Sequence, residues 1–177
     1  VGNRIGTLRA FSRTHLQATT DGLTGILNRR SFEDAARRLV QDGTQFALVM
    51  CDLDHFKSLN DTHGHETGDR ALRLFARVLK ETVRTDDIVA RFGGEEFVIA
   101  LTRSTSDQAT KLLERVQSAL SAAILQASVP SFTASFGVAV HDEGSMPLED
   151  VLRAADGALY QAKSTGRNRI VVTGQLN

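Results

Sequence analysis

The feature that most constrains the fold is an unbroken apolar run, Phe46-Ala47-Leu48-Val49-Met50-Cys51, leading into Asp52-Leu53-Asp54. A run of this length, bounded by polar residues, predicts a central buried strand from about Gln45 to Asp52. It leaves a carboxylate at the strand's C-terminal edge. Cys51 is the chain's one cysteine and lies inside this run, so no intrachain disulfide can form, which fits a reducing compartment. The 177 residues carry 21 basic and 21 acidic side chains, a formal net charge of zero. A general nucleic-acid or polyanion binder would be basic, so no nucleic-acid partner is expected.

A second β-prone pair surrounds Gly93-Gly94. Asp87 to Phe92 reads as one short strand and Phe97 to Leu101 as the next. Two such runs joined at Gly-Gly predict a hairpin with φ > 0 at both turn positions. Glu95 and Glu96 follow the turn and open a strand that is otherwise core-like.

Taken in order, residues 1–20 show a helical pattern (Val1, Ile5, Leu8, Phe11, Leu16), expected as a linker or stalk fragment or as a helix packed on the domain. The domain proper is expected over 21–177. Ser31 and Asp34 predict a capping box for a helix from Phe32 to about Gln41. The stretch from Asp54 to Asp69 is polar, rich in His, Asp, Asn and Gly, and reads as a long functional loop. A helix follows from about Gly68 to Val83, and another starts at Ser106-Asp107. Ser131 to Val140 reads as a strand, Pro147 opens a further helix that Gly166 ends, and Arg169 to Thr173 is a last short strand. The order is β-α-β-β-α-β with an extra helix and strand, which is the ferredoxin-like α+β plan. That plan sets the first and third strands side by side and antiparallel, so Asp52 and Glu95 are expected at one sheet edge. No apolar run approaches ~18 residues, the length of a spanning helix, and no secretory signal opens the chain. The sequence starts at Val1 without an initiator Met, as a fragment would. A cytoplasmic domain is expected, with membrane attachment only through a missing upstream region.

Two carboxylates at one edge suit a hard divalent cation, with the Leu53 carbonyl placed to add an oxygen. The plainer alternative is a solvated acidic turn. Lys57 favours the cation site, because it could neutralise a phosphate, which amides of the Asp54–Lys57 turn could cradle. Lys163 and Arg167 add positive charge at the end of the last helix, where cations are also ordinary. Asn60, His65 and Asp69 offer an amide, an imidazole and a carboxylate, and an Asn–Asp pair can read the guanine edge. His55, His63 and His65 offer zinc ligands as an alternative, without a Cys partner or an HExxH helix.

Four stretches together resemble the GGDEF domains, the diguanylate cyclases. They are Asp21-x-Leu23-Thr24-x-x-x-Asn28-Arg29-Arg30; Asp52-x-Asp54-x-Phe56-Lys57-x-x-Asn60-Asp61-x-x-Gly64-His65-x-x-Gly68-Asp69; Arg91-Phe92-Gly93-Gly94-Glu95-Glu96-Phe97; and Tyr160-x-Ala162-Lys163-x-x-Gly166-Arg167-Asn168. The signature has Glu where the family name has Asp. The resemblance implies a nucleotidyl-cyclase-like fold and condensation of two GTP into cyclic di-GMP with release of two pyrophosphates. It implies Mg²⁺, or Mn²⁺ in its place, on Asp52, the Leu53 carbonyl and Glu95. Glu95 is implied as general base, Lys57 as stabiliser of phosphate charge, and Glu96 as a further catalytic residue. Asn60, His65, Asp69, Phe56, Gly93 and Gly94 would hold the nucleotide, and Lys163 and Arg167 would reach its phosphates. Each domain holds one GTP, so a homodimer is implied.

Five residues separate Arg84-Thr85-Asp86-Asp87 from Gly93. It resembles the family's Arg-x-x-Asp inhibitory site for cyclic di-GMP, with Arg115 as a contact from a second domain. The alternative is a surface ion pair. For the whole domain, the alternatives are a non-catalytic sensor that binds GTP or cyclic di-GMP, and a cyclase with a different product.

Overall fold

A computed structural model describes residues 18–144 and 146–174. The expected linker over residues 1–20 lies mostly outside them. Helix α1 (Arg29–Gln41) leads to strand β1 (Phe46–Leu53), then helices α2 (Phe56–His63) and α3 (His65–Thr82). Strands β2 (Ile88–Gly93) and β3 (Glu96–Thr102) form the hairpin, and α4 (Ser106–Gln126), β4 (Ala134–His141), α5 (Leu148–Ser164) and β5 (Ile170–Val172) complete the order.

The sheet order is β2-β3-β1-β4-β5. Its first four strands are the ferredoxin-like arrangement, with β1 antiparallel to both β3 and β4. β5 adds a parallel edge to β4. All eight residues of β1 are buried, as its apolar run requires. Alternation along β1 sends Ala47, Val49, Cys51 and Leu53 into the layer with α3 and α4. Phe46, Leu48 and Met50 face the layer with α1 and α5. There Gly137 lets α5 approach closely: a Cβ on it would lie 2.2 Å from the Ala155 carbonyl oxygen and 2.2 Å from the Leu159 nitrogen.

Several boundaries differ from expectation. Helix α1 starts earlier than Phe32, because Asn28 is the cap: its Oδ1 accepts from the Ser31 N–H at 2.9 Å, leaving Ser31 and Asp34 inside the helix. The expected loop from Asp54 to Asp69 is mostly helical. Helix α2 was hidden because it is 8 residues long and starts without a side-chain cap from a left-handed His55 (φ 54). Helix α4 starts at Ser106 as expected, and Thr105 and Gln108 form its capping box. β4 starts later than Ser131, at Ala134 opposite Leu53, where β1 ends; the Asp54 N–H donates to the Thr133 carbonyl at 2.8 Å and carries the register one pair further. Among the described residues no helix is long and apolar enough to cross a membrane.

Candidate functional site

The end of β1 meets the start of β3 as the topology predicts. Asp52 pairs in register with Glu96, and the Leu53 N–H donates to the Glu95 carbonyl at 3.3 Å. The turn itself differs from expectation. Gly93 belongs to β2 and pairs with Glu96, so Gly94 and Glu95 are the two turn residues. Only Gly94 has positive φ, at 34°. One glycine therefore meets the turn's conformational need, and Glu95 sits on the turn rather than in the strand.

Asp52 is 4% exposed. Lys163, reaching down from the last turn of α5, places Nζ 2.5 Å from its Oδ2. Burial pushes the Asp52 carboxyl up to about 6. The Lys163 ammonium opposes that shift, and the charges of Glu95 and Glu96 add to it. Asp52, Glu95 and Glu96 thus share one edge with one ammonium, and the surplus negative charge fits a hard cation. Two carboxylates and the Leu53 carbonyl supply oxygen donors only, the set that Mg²⁺ takes together with water and phosphate. Among the described residues no three His, Cys, Asp or Glu side chains converge as metal ligands, so His55, His63 and His65 do not form a zinc centre.

Two clasps hold this edge in shape, and sequence reading assigned a role to neither. Arg91 donates from Nε and Nη2 to the Gly94 carbonyl at 2.9 and 2.7 Å. Its Nη1 contacts both Asp21 carboxylate oxygens at 3.2 and 3.3 Å. Asp21 also accepts from the Thr24 N–H and hydroxyl. Burial pushes its carboxyl up, but those hydrogen bonds and the Arg91 charge outweigh this and hold it below the usual range. The turn carrying Glu95 is thereby tied to the start of the domain. In the second clasp, Asp54 accepts from the Thr133 and Ser135 hydroxyls, each at 2.6 Å, and from the Asn168 N–H at 3.0 Å. It fixes the chain that follows α5, where Arg167 is exposed and left-handed at φ 63.

Helices α2 and α3 build the remaining wall. The expected Asp54–Lys57 turn is the N-terminus of α2, whose first N–H groups have no intrahelical acceptor and suit an anion. Lys57 is exposed on that first turn. Asn60 sits one turn further on, with its Oδ1 buried and without a hydrogen-bond partner among the described residues. Phe56 is partly buried against the core. His65 starts α3 and is exposed, and Asp69 is half-buried on the same helix.

Arg84 and Asp87 lie at the opposite end of the sheet. The Asp87 side chain is fully buried, whereas that of Arg84 is 55% exposed. Asp87 accepts from the Arg84 N–H at 2.8 Å and from the Thr102 N–H at 3.0 Å. The Arg84 guanidinium in turn donates to the Thr102 carbonyl and the Ser104 hydroxyl. This is a closed clasp, not a surface ion pair. Arg115 is exposed on α4.

The family described as "Diguanylate cyclase, GGDEF domain" matches residues 18–169. Diguanylate cyclase DgcM of Escherichia coli is 39% identical over 155 residues, covering 85% of this chain and 37% of that protein. Diguanylate cyclase VdcA of Vibrio cholerae is 38% identical over 166 residues, covering 91% of this chain and 49% of that protein. The chain spans less than half the length of these curated relatives. Among solved structures, the coiled coil and GGDEF domain of DgcB from Caulobacter crescentus, in complex with c-di-GMP, aligns with TM-score 0.85 and 33% identity, covering 96% of this chain and 93% of that one. With the fold, the acidic sheet edge and these likenesses in agreement, the chain belongs to the GGDEF domain family.

Proposed function

We propose that the domain is a diguanylate cyclase that joins two GTP into cyclic di-GMP and releases two pyrophosphates. The observation that carries this reading is the edge where buried Asp52 shares the field of Glu95 and Glu96 with one Lys163. Such an edge is built for a cation-bound polyphosphate. Asp52, Glu95 and the Leu53 carbonyl would hold Mg²⁺, or Mn²⁺ in its place. Bound there, the metal would neutralise triphosphate charge and acidify the attacking hydroxyl.

Each residue then has a task. Glu95 takes the proton from the ribose 3′-hydroxyl that attacks the α-phosphorus of the other GTP, and the second of the two carboxylates, Glu96, adds to the field that holds the cation. Lys57 and the N–H groups of the first turn of α2 meet the phosphates, with Arg167 as a further cation. Lys163 moves from Asp52 toward phosphate oxygens as the nucleotide arrives. Asn60 and Asp69 read the guanine, with Phe56 and His65 beside it and Gly93 and Gly94 leaving room at the turn. Each chain has one such set of residues, so two chains must face one another, each with one GTP.

Arg84 and Asp87 supply product feedback. The likeness to DgcB, solved with c-di-GMP, supports a product site on this domain. Asp87 braces the backbone, and the exposed Arg84 guanidinium binds the dinucleotide, with Arg115 of a second copy closing over it. Arg84→Ala is expected to raise the product concentration for half-inhibition at least tenfold, the loss of one charge-assisted contact of about 1.5–3 kcal/mol. Initial rates at several cyclic di-GMP concentrations measure it.

The main test is purified protein with GTP and Mg²⁺, the products separated by chromatography at several protein concentrations. Cyclic di-GMP should form, with specific activity rising until dimers saturate. Specific activity that stays flat from nanomolar protein upward, in a protein monomeric by light scattering, contradicts the two-chain mechanism.

A further inference from the structure

Two features that are each locally unfavourable meet at one point between α2 and α3. The first is the buried Asn60 Oδ1, which has no hydrogen-bond partner among the described residues. An unpaired buried acceptor costs stability, so packing alone gives no reason to keep it. The second is Gly68, inside the N-terminal part of α3. Glycine is a poorer helix former than alanine. Gly68 is not among the glycines with positive φ, and its N–H makes the ordinary helical bond to the Gly64 carbonyl at 3.2 Å. Its backbone therefore gives no reason for glycine either.

Space supplies the reason. A Cβ on residue 68 would lie 1.7 Å from Asn60 Oδ1, 2.8 Å from Asn60 Cγ and 3.2 Å from Phe56 Cζ. Real Cβ atoms essentially never come within 3.0 Å of a heavy atom outside their own residue and its chain neighbours. The Asn60 amide thus rests directly on the bare Cα of Gly68, and any other residue there would expel it. Local rules are broken together in this way where a site, not the core, sets the requirement.

We propose that Gly68 is a positioning residue for base recognition: its missing side chain seats the Asn60 amide at the guanine edge. Gly68 itself touches no base. The inference rests on the reading of Asn60 as a guanine ligand. A methyl group on residue 68 pushes the amide out of its seat and removes its contribution to choosing guanine over adenine.

The experiment measures affinity for GTP and for ATP, with Mg²⁺, by calorimetry on the parent, Gly68→Ala, Asn60→Ala and the double variant. Gly68→Ala should lose at least tenfold in GTP affinity and narrow the ratio of GTP to ATP affinity, which a general loss of stability would not change. The double variant should bind GTP no more weakly than Asn60→Ala, because both changes act through one amide. Parent-like GTP affinity in Gly68→Ala overturns the proposal. So does a double variant in which the two losses add. If Gly68→Ala fails to fold, the double variant should fold, since the Asn60 atoms within 3.0 Å of the new methyl are gone and the Phe56 ring at 3.2 Å need give only a few tenths of an ångström; a double variant that also fails overturns the proposal. Parent-like binding by Asn60→Ala overturns it too, and is the one result that also removes the underlying reading of Asn60.

Discussion

At one end of β1, Asp52 faces Glu96 across the ladder and shares its surroundings with Glu95, with Lys163 as its ion-pair partner. At the other end, Phe46 pairs with Thr102, whose N–H goes to the buried Asp87 and whose carbonyl goes to Arg84. Both ends bury a carboxylate, and they treat it oppositely. Asp87 receives backbone and side-chain donors until its oxygens are committed. Asp52 is left with burial opposing its charge, a cost that the Lys163 ammonium does not offset and that the charges of Glu95 and Glu96 add to. A buried acid saturated with donors contributes to the fold. One held in surplus charge opposes the fold and is kept for what it binds.

The largest effect should come from breaking the acidic end chemically. Glu95→Gln keeps the shape of the turn and removes its charge. Turnover of GTP should fall by about a thousandfold or more, roughly the scale of losing one key electrostatic group. Circular dichroism should be unchanged. A variant with parent-like turnover would show that this carboxylate is only a solvated turn residue.

Breaking the other end should cost stability instead. Asp87→Ala leaves the N–H groups of Arg84 and Thr102 without their acceptor, and the fold should lose about 2–4 kcal/mol. Urea unfolding measures this. A loss below about 0.5 kcal/mol, the scale of an exposed ion pair, would make the clasp no different from a surface contact.

The comparison sharpens with pH. Asp52 titrates near 6 in the folded chain against an ordinary 3.8. Its charged form is the disfavoured one, so it opposes folding fully above about pH 6, and the opposition fades as pH falls toward 3.8. Asp52→Asn should therefore be more stable than the parent at pH 8, by about 1–3 kcal/mol, with a smaller gain at pH 4.5. Lys163, about a third exposed, can return to water when its partner is neutralised. Thermal melts at the two pH values decide the point: a gain of equal size at both would remove the electrostatic explanation.

The sequence foretold these two ends unequally. Strand order alone brought Asp52 to the start of β3, because an apolar run and a glycine hairpin are strong local signals and few topologies join them. The clasps were illegible because their partners are distant: Asp54 meets Thr133, Ser135 and Asn168, and Arg91 meets Asp21. No spacing rule links such residues. Helix α2 was missed for the opposite reason. Its cues are local but weak, since His55 enters it left-handed and Leu59 is its one buried residue. Arg84 and Asp87 stood out as a pair, yet nothing in their spacing revealed that Asp87 is buried and Arg84 is not.

The contact at Gly137 fixes how closely α5 lies on the sheet. Ala155 and Leu159 meet β4 at the bare Cα of Gly137, and Lys163 lies one turn beyond Leu159 on the same helix. A side chain at residue 137 would meet helix backbone and hold α5 farther from β4, and with it the ammonium that pairs with Asp52. The charge balance at the acidic edge therefore depends on a clearance, at a residue that carries no charge and lies outside the site.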